Sequence, residues 1–426
     1  MKILWMTNLR LPVIDEILGE KVDYFGGGWL TGLLDQLRDD INRQIILCYP
    51  EYKSKDIISG GKDNITFYGI PIDSHKNRLG TLDIEAVKKI YIEVLQKEHP
   101  DVIHIHGTEF PYSNALIRAA RDIGKLSNTV VSIQGMVSVY SHHFYGNLPR
   151  DTKIHRTLRE CVIRDGVDDR YKSFVRRGDI ERDTIAIAEN VMGRTSWDYI
   201  NTVSINPNIH YFKANETLRS EFYEGTWDYD HCSKHTVFVS QAGTVLKGFH
   251  KVLDAVEIVK IFYPDVMVRV AGPDITQGDN IRGNSYGQYI RKKISQAELE
   301  NVVRFTGSLN AEKMRAEMLN ANVFVSASSI ENSPNSLGEA MLLGVPCVSS
   351  DVGGVADMMI HNVEGYIYPA DASDMLAFYI KKVFDQRAEV GSMCQKAVEH
   401  ARITHDPNKN VEDLIKIYKV LAGTGV

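Results

Sequence analysis

The sequence contains few cysteines and has no surplus of positive charge. Its five cysteines are scattered over 426 residues without a Cys-x-x-Cys pair, which is typical of free thiols in a reducing compartment. Fifty-five acidic residues against 49 basic ones give a net charge of −6, and this balance argues against a bulk nucleic-acid-binding protein. We therefore expect no nucleic-acid partner. The composition is compatible with small-molecule or glycan ligands.

A long apolar run is also missing. The longest stretch without Asp, Glu, Lys or Arg covers residues 126–149, and it includes Gln134, His142, His143 and Asn147, so it would make a poor membrane span. The first residues of the chain become polar too soon for a signal peptide. We expect a cytoplasmic protein and leave peripheral contact with the inner face of a membrane open.

Apolar runs alternate with helical patterns along the chain, as repeated βαβ units require. The sequence predicts strands at residues 2–6, 43–48, 65–68, 102–106 and 129–133 in the first half, and at 236–240, 266–271, 302–305, 323–327 and 345–349 in the second. Residues 151–190 are helical in pattern and carry interleaved charges of both signs, which indicates a solvated insertion. The polar, aromatic stretch 213–234 is interpreted as an interdomain linker.

These patterns predict an α/β fold of two Rossmann-like, doubly wound domains that face each other across a cleft. The predicted domains are residues 1–228 and residues 229–407, and the amphipathic C-terminal segment 408–426 is expected to pack back on the first domain. In open sheets of this kind, ligands bind beyond the carboxyl ends of the strands. Side chains that directly follow predicted strands are therefore the first candidates for a site.

Two carboxylates follow one predicted strand. Glu331 lies in the loop after residues 323–327, and Glu339 lies eight residues later in the first turn of a predicted helix. Each ionised carboxylate can accept several hydroxyl protons, which suits the recognition of sugars. Asn335 and Ser336 stand at the start of this helix, where free N–H groups bind phosphate. A structural alternative is a capping box between Ser336 and Glu339.

Glycine and lysine mark two further strand-to-helix turns. Gly26, Gly27 and Gly28 precede the first predicted helix, and their backbone could approach an anion closely; a hinge without a ligand is the alternative. The sequence contains no Gly-x-Gly-x-x-Gly fingerprint, which disfavours a dehydrogenase. Lys247, before Gly248, could neutralise a departing diphosphate, although a lone lysine in a loop is often only solvated.

His104 and His106 alternate along one predicted strand with a spacing that could chelate zinc. No third ligand follows at a matching spacing, so no metal site is predicted. His106 ends the strand and is the better candidate for the site, whereas His104 is expected to be a satisfied core residue. Gln134 follows the next strand and can donate or accept a hydrogen bond, but it cannot titrate near neutral pH.

The Glu-x7-Glu spacing of Glu331 and Glu339 resembles retaining glycosyltransferases of the GT-B fold, and family 4 in particular. The resemblance extends to the glycine loop, the Lys247-Gly248 pair, and the short motifs Gly272-Pro273, Gly307-Ser308-Leu309 and Gly353-Gly354. It implies that Glu331 lies against the donor sugar and that Glu339 holds the ribose. Glu331, Lys247 and His106 are then the expected catalytic residues.

The resemblance also implies the remaining donor contacts. The expected donor-binding residues beside Glu339 are Gly27, Gly28, Gln134, Leu309, Asn335 and Ser336. The sequence departs from the family pattern where Gln241 and Ala242 stand in place of an arginine usual before Lys247, and where Gln134 stands in place of a frequent histidine. Pro334 also removes one N–H donor from the carboxylate loop.

The function implied is a metal-independent, retaining hexosyltransferase that uses a nucleotide diphosphate sugar and needs no cofactor. Its acceptor would be a glycan, a lipid-linked molecule or a small molecule. One alternative is a nucleotide-sugar-binding or scaffolding protein with impaired activity, which the departures from the family pattern favour. A nucleotide-sugar epimerase on the same fold is the other, although no clear acid–base pair supports it. The sequence does not indicate the oligomeric state.

Overall fold

A computed structural model describes residues 1–20, 28–40 and 42–424 of the chain. The strands are β1 (Lys2–Met6), β2 (Gln44–Glu51), β3 (Ile58–Lys62), β4 (Ile65–Pro71), β5 (Val102–His106), β6 (Thr129–Ser132), β7 (Asn190–Gly193), β8 (His210–Lys213), β9 (Thr236–Val239), β10 (Met267–Val270), β11 (Val303–Phe305), β12 (Val323–Ser326), β13 (Cys347–Asp351) and β14 (Tyr366–Pro369).

The helices follow the same order. They are α1 (Pro12–Leu18), α2 (Gly28–Arg38), α3 (Ser74–Leu79), α4 (Ile84–Glu98), α5 (Pro111–Asp122), α6 (Val137–His143), α7 (Arg150–Ile154), α8 (Leu158–Ile163), α9 (Val167–Ile187), α10 (Ser196–Ile205), α11 (Phe249–Phe262), α12 (Ser285–Gln296), α13 (Ala311–Asn320), α14 (Asn335–Leu343), α15 (Val355–Met358), α16 (Ser373–Asp385), α17 (Arg387–Thr404) and α18 (Pro407–Leu421). Short 3-10 turns cover Leu126–Asn128, Ser220–Tyr223 and Val245–Lys247.

The chain forms two compact units. Unit 1 contains Met1–Ser141, Ser173–Thr217 and His405–Val426, and unit 2 contains His142–Lys172 and Leu218–Thr404. Each unit is built on one largely parallel sheet with helices between successive strands. The predicted pair of Rossmann-like α/β domains is therefore present.

Unit 1 has the strand order β3-β4-β2-β1-β5-β6-β7-β8, and only the pairing of β3 with β4 is antiparallel. The central strand β1 pairs Leu4 with Ile46 on one side and with Ile103 on the other. Its residues from Ile3 to Met6 are fully buried, because apolar clusters cover both faces of the sheet. This explains why β1 and β5 read as continuous apolar runs in the sequence.

Unit 2 has the order β11-β10-β9-β12-β13-β14, with every pairing parallel. Most predicted strands lie within one or two residues of those observed. Strand β13 begins at Cys347 rather than at residue 345, so Pro346 precedes the ladder and removes no donor from it. Strands β3, β7, β8 and β14 were not predicted. The sequence of edge strand β3, Ile-Ser-Gly-Gly-Lys, is glycine-rich and exposed.

Residues 218–234 of the segment interpreted as a linker pack into unit 2. Phe222 is fully buried, and the indole Nε1 of Trp227 donates a hydrogen bond to the carbonyl oxygen of Ala321 at 2.7 Å. Apolar and aromatic side chains in this stretch gain free energy from burial, so it is not a free spacer. The interpretation as a linker is therefore wrong for residues 218–234.

The charged insertion is divided between the units, which a single boundary at residue 228 does not describe. Residues 142–172 belong to unit 2. There, Thr157 and Glu160 close a capping box at the start of α8. The Glu160 carboxylate also accepts hydrogen bonds from the backbone N–H and the hydroxyl of Ser285 at 2.9 and 3.1 Å. A buried carboxylate thus attaches this part of the insertion to α12.

Helix α18 belongs to unit 1. The Tyr418 hydroxyl accepts a hydrogen bond from Nε1 of Trp5 at 2.7 Å and lies 2.5 Å from Nδ1 of His104. The other ring nitrogen of His104 is hydrogen-bonded to Ser132. His104 is therefore a satisfied core residue, as predicted.

Within the described ranges, no helix combines the length and the apolar character that a membrane crossing requires.

Replacing Tyr418 with Phe should lower the free energy of unfolding by about 1–3 kcal/mol, because it leaves the buried indole N–H of Trp5 without its acceptor. Urea unfolding followed by circular dichroism measures this change. The control is Tyr199→Phe in the same unit, where the side chain is 46% exposed and the expected change is below about 0.5 kcal/mol. Equal effects of the two substitutions would contradict a stabilising role for the Tyr418 hydroxyl.

Candidate functional site

The strand order places one switch point in each sheet. In unit 2, β9 lies between β10 and β12, and in unit 1, β1 lies between β2 and β5. At a switch point, the connections that follow two neighbouring strands run to opposite faces of the sheet. Their divergence opens a crevice beyond the carboxyl ends of the strands. The segments after β9 and β12 therefore border this crevice in unit 2, and these segments carry Lys247 and Glu331.

Lys247 and Glu331 form an ion pair in unit 2. The ammonium Nζ of Lys247 lies 2.5 Å from Oε1 of Glu331, and the hydroxyl of Ser328 donates to the same oxygen at 2.7 Å. The Lys247 side chain is about one-third exposed and that of Glu331 is largely buried. The structure thus brings together two residues that were predicted independently to serve a donor site.

The backbone of the Glu331 loop is held by a glycine. Gly353 has a φ of 55°, and a Cβ there would lie 1.7 Å from the carbonyl oxygen of Glu331. That carbonyl accepts a hydrogen bond from the N–H of Gly354 at 3.2 Å, and Ser350 Oγ donates to the carbonyl oxygen of Ser328 at 2.7 Å. The Gly353-Gly354 motif therefore fixes the loop that carries the carboxylate.

Glu339 is paired with a cation that the sequence did not indicate. Nε of Arg219 donates to Oε1 of Glu339 at 2.6 Å, and a terminal guanidinium nitrogen donates to Oε2 at 2.7 Å. Glu339 is only 2% exposed. Burial raises the pKa of its carboxyl, while the hydrogen bonds and charge of Arg219 oppose that rise.

The capping-box alternative for Glu339 is wrong. Helix α14 begins at Asn335, and the residue in the N-cap position is Pro334, which caps no N–H with its side chain. Ser336 lies inside the first turn, and its Oγ is 3.2 Å from Oγ of Ser240, just after β9. The Glu339 carboxylate bonds to Arg219 and not back to the helix start.

The other predicted donor contacts of unit 2 border the same end of the sheet. Asn335 opens α14, and half-buried Leu309 lies in the loop after β11. Gly272 and Gly307 exchange backbone hydrogen bonds of 3.0 and 3.1 Å between the loops after β10 and β11. Both have positive φ, and a Cβ on either would meet no atom within 4 Å. Open space therefore lies beside these backbone segments.

In unit 1, His106 lies at the carboxyl end of β5 and is 3% exposed. Its ring stacks on His104 with centroids 3.7 Å apart and meets the Trp5 ring edge-on at 4.6 Å. Burial lowers the pKa of His106 to about 3. Its imidazole is consequently neutral near pH 7, so it can exchange hydrogen bonds there but carries no positive charge.

Gln134 lines a small cavity of unit 1, of about 40 Å³, together with His106. The wall also contains Arg194, whose guanidinium forms an ion pair with Glu216. Arg194 additionally donates to the carbonyl oxygens of Ile133 and Gln134 at 3.2 and 3.4 Å. Gln134 and His106 are thus brought together, while Arg194 and Glu216 were not predicted.

The glycine loop is only partly described. Gly27 lies outside the described residues, and Gly28 is the first residue of α2. Their predicted contacts with the donor phosphate stay predictions.

Asp228 and Asp230, which spell Asp-x-Asp with Tyr229, make local contacts. The Asp228 carboxylate accepts from the N–H of Asp230 at 2.9 Å and lies 2.6 Å from Nδ1 of His231. Asp230 pairs with Arg387. In the part of the chain that the structure describes, no three His, Cys, Asp or Glu side chains form a group that could hold a metal ion.

Comparison with known proteins places a family model on unit 2. Residues 229–404 match the model described as "Glycosyl transferases group 1". A 107-residue segment is 28% identical to the amylovoran biosynthesis glycosyltransferase AmsK of Erwinia amylovora. That alignment covers 24% of this chain and 26% of AmsK, so the chain spans about a quarter of the length of this curated relative.

Two solved structures are similar over the whole chain. Sucrose-phosphate synthase of Thermosynechococcus elongatus superposes with a TM-score of 0.72 at 13% identity, with 100% of both chains covered. Anabaena Alr3699/HepE in complex with UDP-glucose superposes with a TM-score of 0.68 at 15% identity, covering 99% of this chain and 100% of that one. These likenesses confirm the predicted GT-B fold class.

Replacing Arg219 with Met should destabilise the protein most at neutral and higher pH. Without the guanidinium, the pKa of buried Glu339 rises further above its unfolded value. A raised folded pKa favours the protonated carboxyl, so the loss of stability is fully present above that pKa and fades as pH falls toward about 4.3. We expect a loss of about 1.5–3 kcal/mol at pH 7.5 and a smaller one at pH 5, measured by urea unfolding.

The matched control is Arg269→Met, which breaks another bidentate Arg–Glu pair of unit 2. Its partner Glu317 keeps 18% of its side chain exposed, against 3% for Glu339. We expect a loss below about 1 kcal/mol at both pH values, because exposed pairs contribute little. A loss in Arg219→Met that does not change with pH would contradict this assignment.

Proposed function

We propose that this protein is a retaining glycosyltransferase of the family 4 type, which transfers a hexose from a nucleoside diphosphate sugar to an acceptor hydroxyl. The observation that carries the proposal is the pairing of two buried carboxylates with two cations beyond the strands of unit 2. Lys247 pairs with Glu331 and Arg219 with Glu339, and all but Arg219 lie in the region that matches the glycosyltransferase model.

Binding of the donor would exchange the partners of Lys247 and Glu331. The diphosphate carries more negative charge than one carboxylate and would attract the ammonium of Lys247. Hydroxyl groups of the donor sugar would then donate to the Glu331 oxygens. Lys247 would stabilise the charge that grows on the leaving phosphate as the bond from the sugar carbon to the phosphate oxygen breaks. The helix start at Asn335 and Ser336 would contribute N–H groups.

Glu339 can bind ribose without losing Arg219. The bidentate pair uses one lone pair on each carboxylate oxygen, and each oxygen retains a second one for a ribose hydroxyl. Arg219 would thus act as a positioning residue that keeps Glu339 ionised and fixes its orientation. This role accounts for an arginine at the site although none precedes Lys247.

In the retaining reaction proposed here, the acceptor oxygen attacks the sugar carbon on the face that the phosphate leaves. The acceptor proton passes to the departing phosphate oxygen, so no side-chain base, metal ion or cofactor is required. UDP-glucose is the first donor to test, since it is bound in the structure of Anabaena Alr3699/HepE. The name of AmsK supports an acceptor in polysaccharide biosynthesis, either a glycan or a lipid-linked one, used by a cytoplasmic enzyme that contacts the membrane peripherally.

A donor-hydrolysis assay tests the proposal. The unaltered protein and the Lys247→Met variant are each incubated with UDP-, GDP- or ADP-glucose. The release of nucleoside diphosphate by the two proteins is then compared. A transferase releases nucleoside diphosphate slowly even without an acceptor. A nucleotide-sugar-binding protein would raise its melting temperature with the same ligand but release nothing, and that result would contradict catalysis.

Glu331→Gln and Glu339→Gln should affect different steps. Glu331→Gln should reduce donor turnover by about 10²-fold or more while UDP affinity stays within about threefold, because its partner is the sugar. Glu339→Gln should weaken UDP binding by about 10-fold, since the ribose loses a charged acceptor. Isothermal titration calorimetry with UDP and with UDP-glucose separates these effects. Equal effects of the two variants on UDP affinity would contradict the two roles.

Lys247→Met should lower turnover by about 10²-fold or more, by analogy with the loss of one donor at an oxyanion site. Activity of the unaltered protein should survive EDTA, because Lys247 rather than a metal ion would neutralise the leaving group. Lys260→Met on the neighbouring helix α11 serves as the control and should keep full activity. Loss of turnover on chelation, with recovery on addition of Mn²⁺, would show that the metal-free mechanism is wrong.

A further inference from the structure

A second pocket of unit 2, separate from the two ion pairs, has a cationic lining. It encloses about 320 Å³ and lies between the segment at residues 142–153, the start of α11 and the loop after β14. Its lining includes the titratable residues His142, His143, Tyr145, Lys153, Lys251 and Asp371. A volume of this size is at the lower end for small-molecule sites, and it has room for one anionic group with part of a sugar.

Lys251 is the most informative residue of this pocket. It is only 6% exposed, and its ammonium donates one hydrogen bond, of 3.0 Å, to the hydroxyl of Ser329. Across residues 1–20, 28–40 and 42–424, no carboxylate forms an ion pair with Lys251. A buried charge is normally paired. The cation therefore lacks a counter-charge at close range. Burial lowers the pKa of the Lys251 ammonium, and the charge of Asp371 opposes this only in part.

The other cations add to this excess. Lys153 is half-buried, and its Nζ lies 4.8 Å from the centroid of the Tyr145 ring. The Tyr145 hydroxyl donates to Asp168 at 3.0 Å, so the ring is held in place beneath the ammonium. Two lysines face one aspartate in the lining, and His142 and His143 contribute further polar nitrogens. The lining thus carries two basic side chains against one acidic one, although the whole chain has an excess of acidic residues.

The position of the pocket relates it to the proposed reaction. Ser329, the hydrogen-bond partner of Lys251, precedes Glu331 by two residues in the loop after β12. A Cβ on Gly146 would lie 2.7 Å from Oγ of Ser329, and the carbonyl of Gly146 lies 2.7 Å from Nε2 of His250. The pocket wall therefore contacts the loop that carries the Glu331 carboxylate.

We propose that this pocket binds an anionic group, a phosphate or a carboxylate, of the acceptor. Lys251 would supply the buried charge, and Lys153 would contact the anion from the more exposed side. The inference rests on the proposed function for the identity of the ligand as an acceptor. The existence of an anion site in unit 2 does not depend on it.

The test is a titration of the full chain with inorganic phosphate, followed by calorimetry in the presence of saturating UDP, so that the proposed donor site is occupied. Lys251→Met and Lys153→Gln should each weaken phosphate binding by about 10-fold or more, the loss typical of a hydrogen bond to a charged group. Lys260→Gln, on the same helix as Lys251 but outside the pocket, should leave it unchanged. Should Lys251→Met fail to fold, Lys153→Gln alone decides the matter.

Unchanged phosphate affinity in the lysine variants of the pocket would overturn the proposal. It would also be overturned if Lys247→Met abolished phosphate binding while those variants did not, because the phosphate would then occupy the donor site. Glucuronate and glucose form a second pair of probes. Binding of glucuronate should depend on Lys251 in the same way. Tighter binding of glucuronate than of phosphate would indicate an acceptor that carries a carboxylate. If glucose bound as tightly as glucuronate, recognition by charge would be contradicted.

These outcomes are distinguishable from failure of the proposed function. If no nucleoside diphosphate is released from any donor, yet phosphate binding depends on Lys153 and Lys251, the anion site stands and glycosyl transfer does not. If donor hydrolysis proceeds and phosphate binding depends on neither lysine, glycosyl transfer stands and the anion site does not.

Discussion

The cost of burying charge governs the candidate site of unit 2. Glu331 and Glu339 are 8% and 2% exposed, and a carboxylate removed from water is stable only when donors replace its hydration. Lys247, Ser328 and Arg219 provide these donors. The same charges that would serve a nucleotide sugar therefore stabilise the site without one. A ligand at this site must offer each carboxylate hydroxyl donors of comparable strength.

Most of the fold could be predicted from the sequence because both sheets are parallel and covered on both faces. Strands such as β1, β5 and β12 are consequently continuous apolar runs, and each is followed by a turn and a helix. Edge strand β3 could not be predicted, since its glycines and exposed side chains show no alternation. The assignment of residues 142–172 to unit 2 depends on long-range contacts such as that of Glu160 with Ser285, which leave no local pattern.

Site residues that directly follow a strand could be predicted from the sequence, and the other site residues were harder to predict. Glu331 and Lys247 lie in the turns after two adjacent strands, so the topology alone brings them near each other. Arg219 is 120 residues from Glu339 in the sequence. It lies in the polar, aromatic segment that was interpreted as a linker. His106 was recognised by its position at the end of β5. Its low pKa results from burial, which only the assembled core with its His104 and Trp5 rings reveals.

The hydrogen bond between Trp5 and Tyr418 has a consequence for the order in which the chain folds during synthesis. Its two residues are 413 positions apart, and helix α18 supplies Leu414, Ile417 and Tyr418 to the apolar cluster on one face of the first sheet. Helices α1 and α2 contribute to the same cluster, but the part of that face covered by α18 remains exposed on the ribosome until the whole of unit 2 has been made. Unit 2 can therefore complete its core first, although unit 1 contains the earlier residues. The nascent first sheet would expose apolar surface throughout this interval, which is the condition under which chaperones bind.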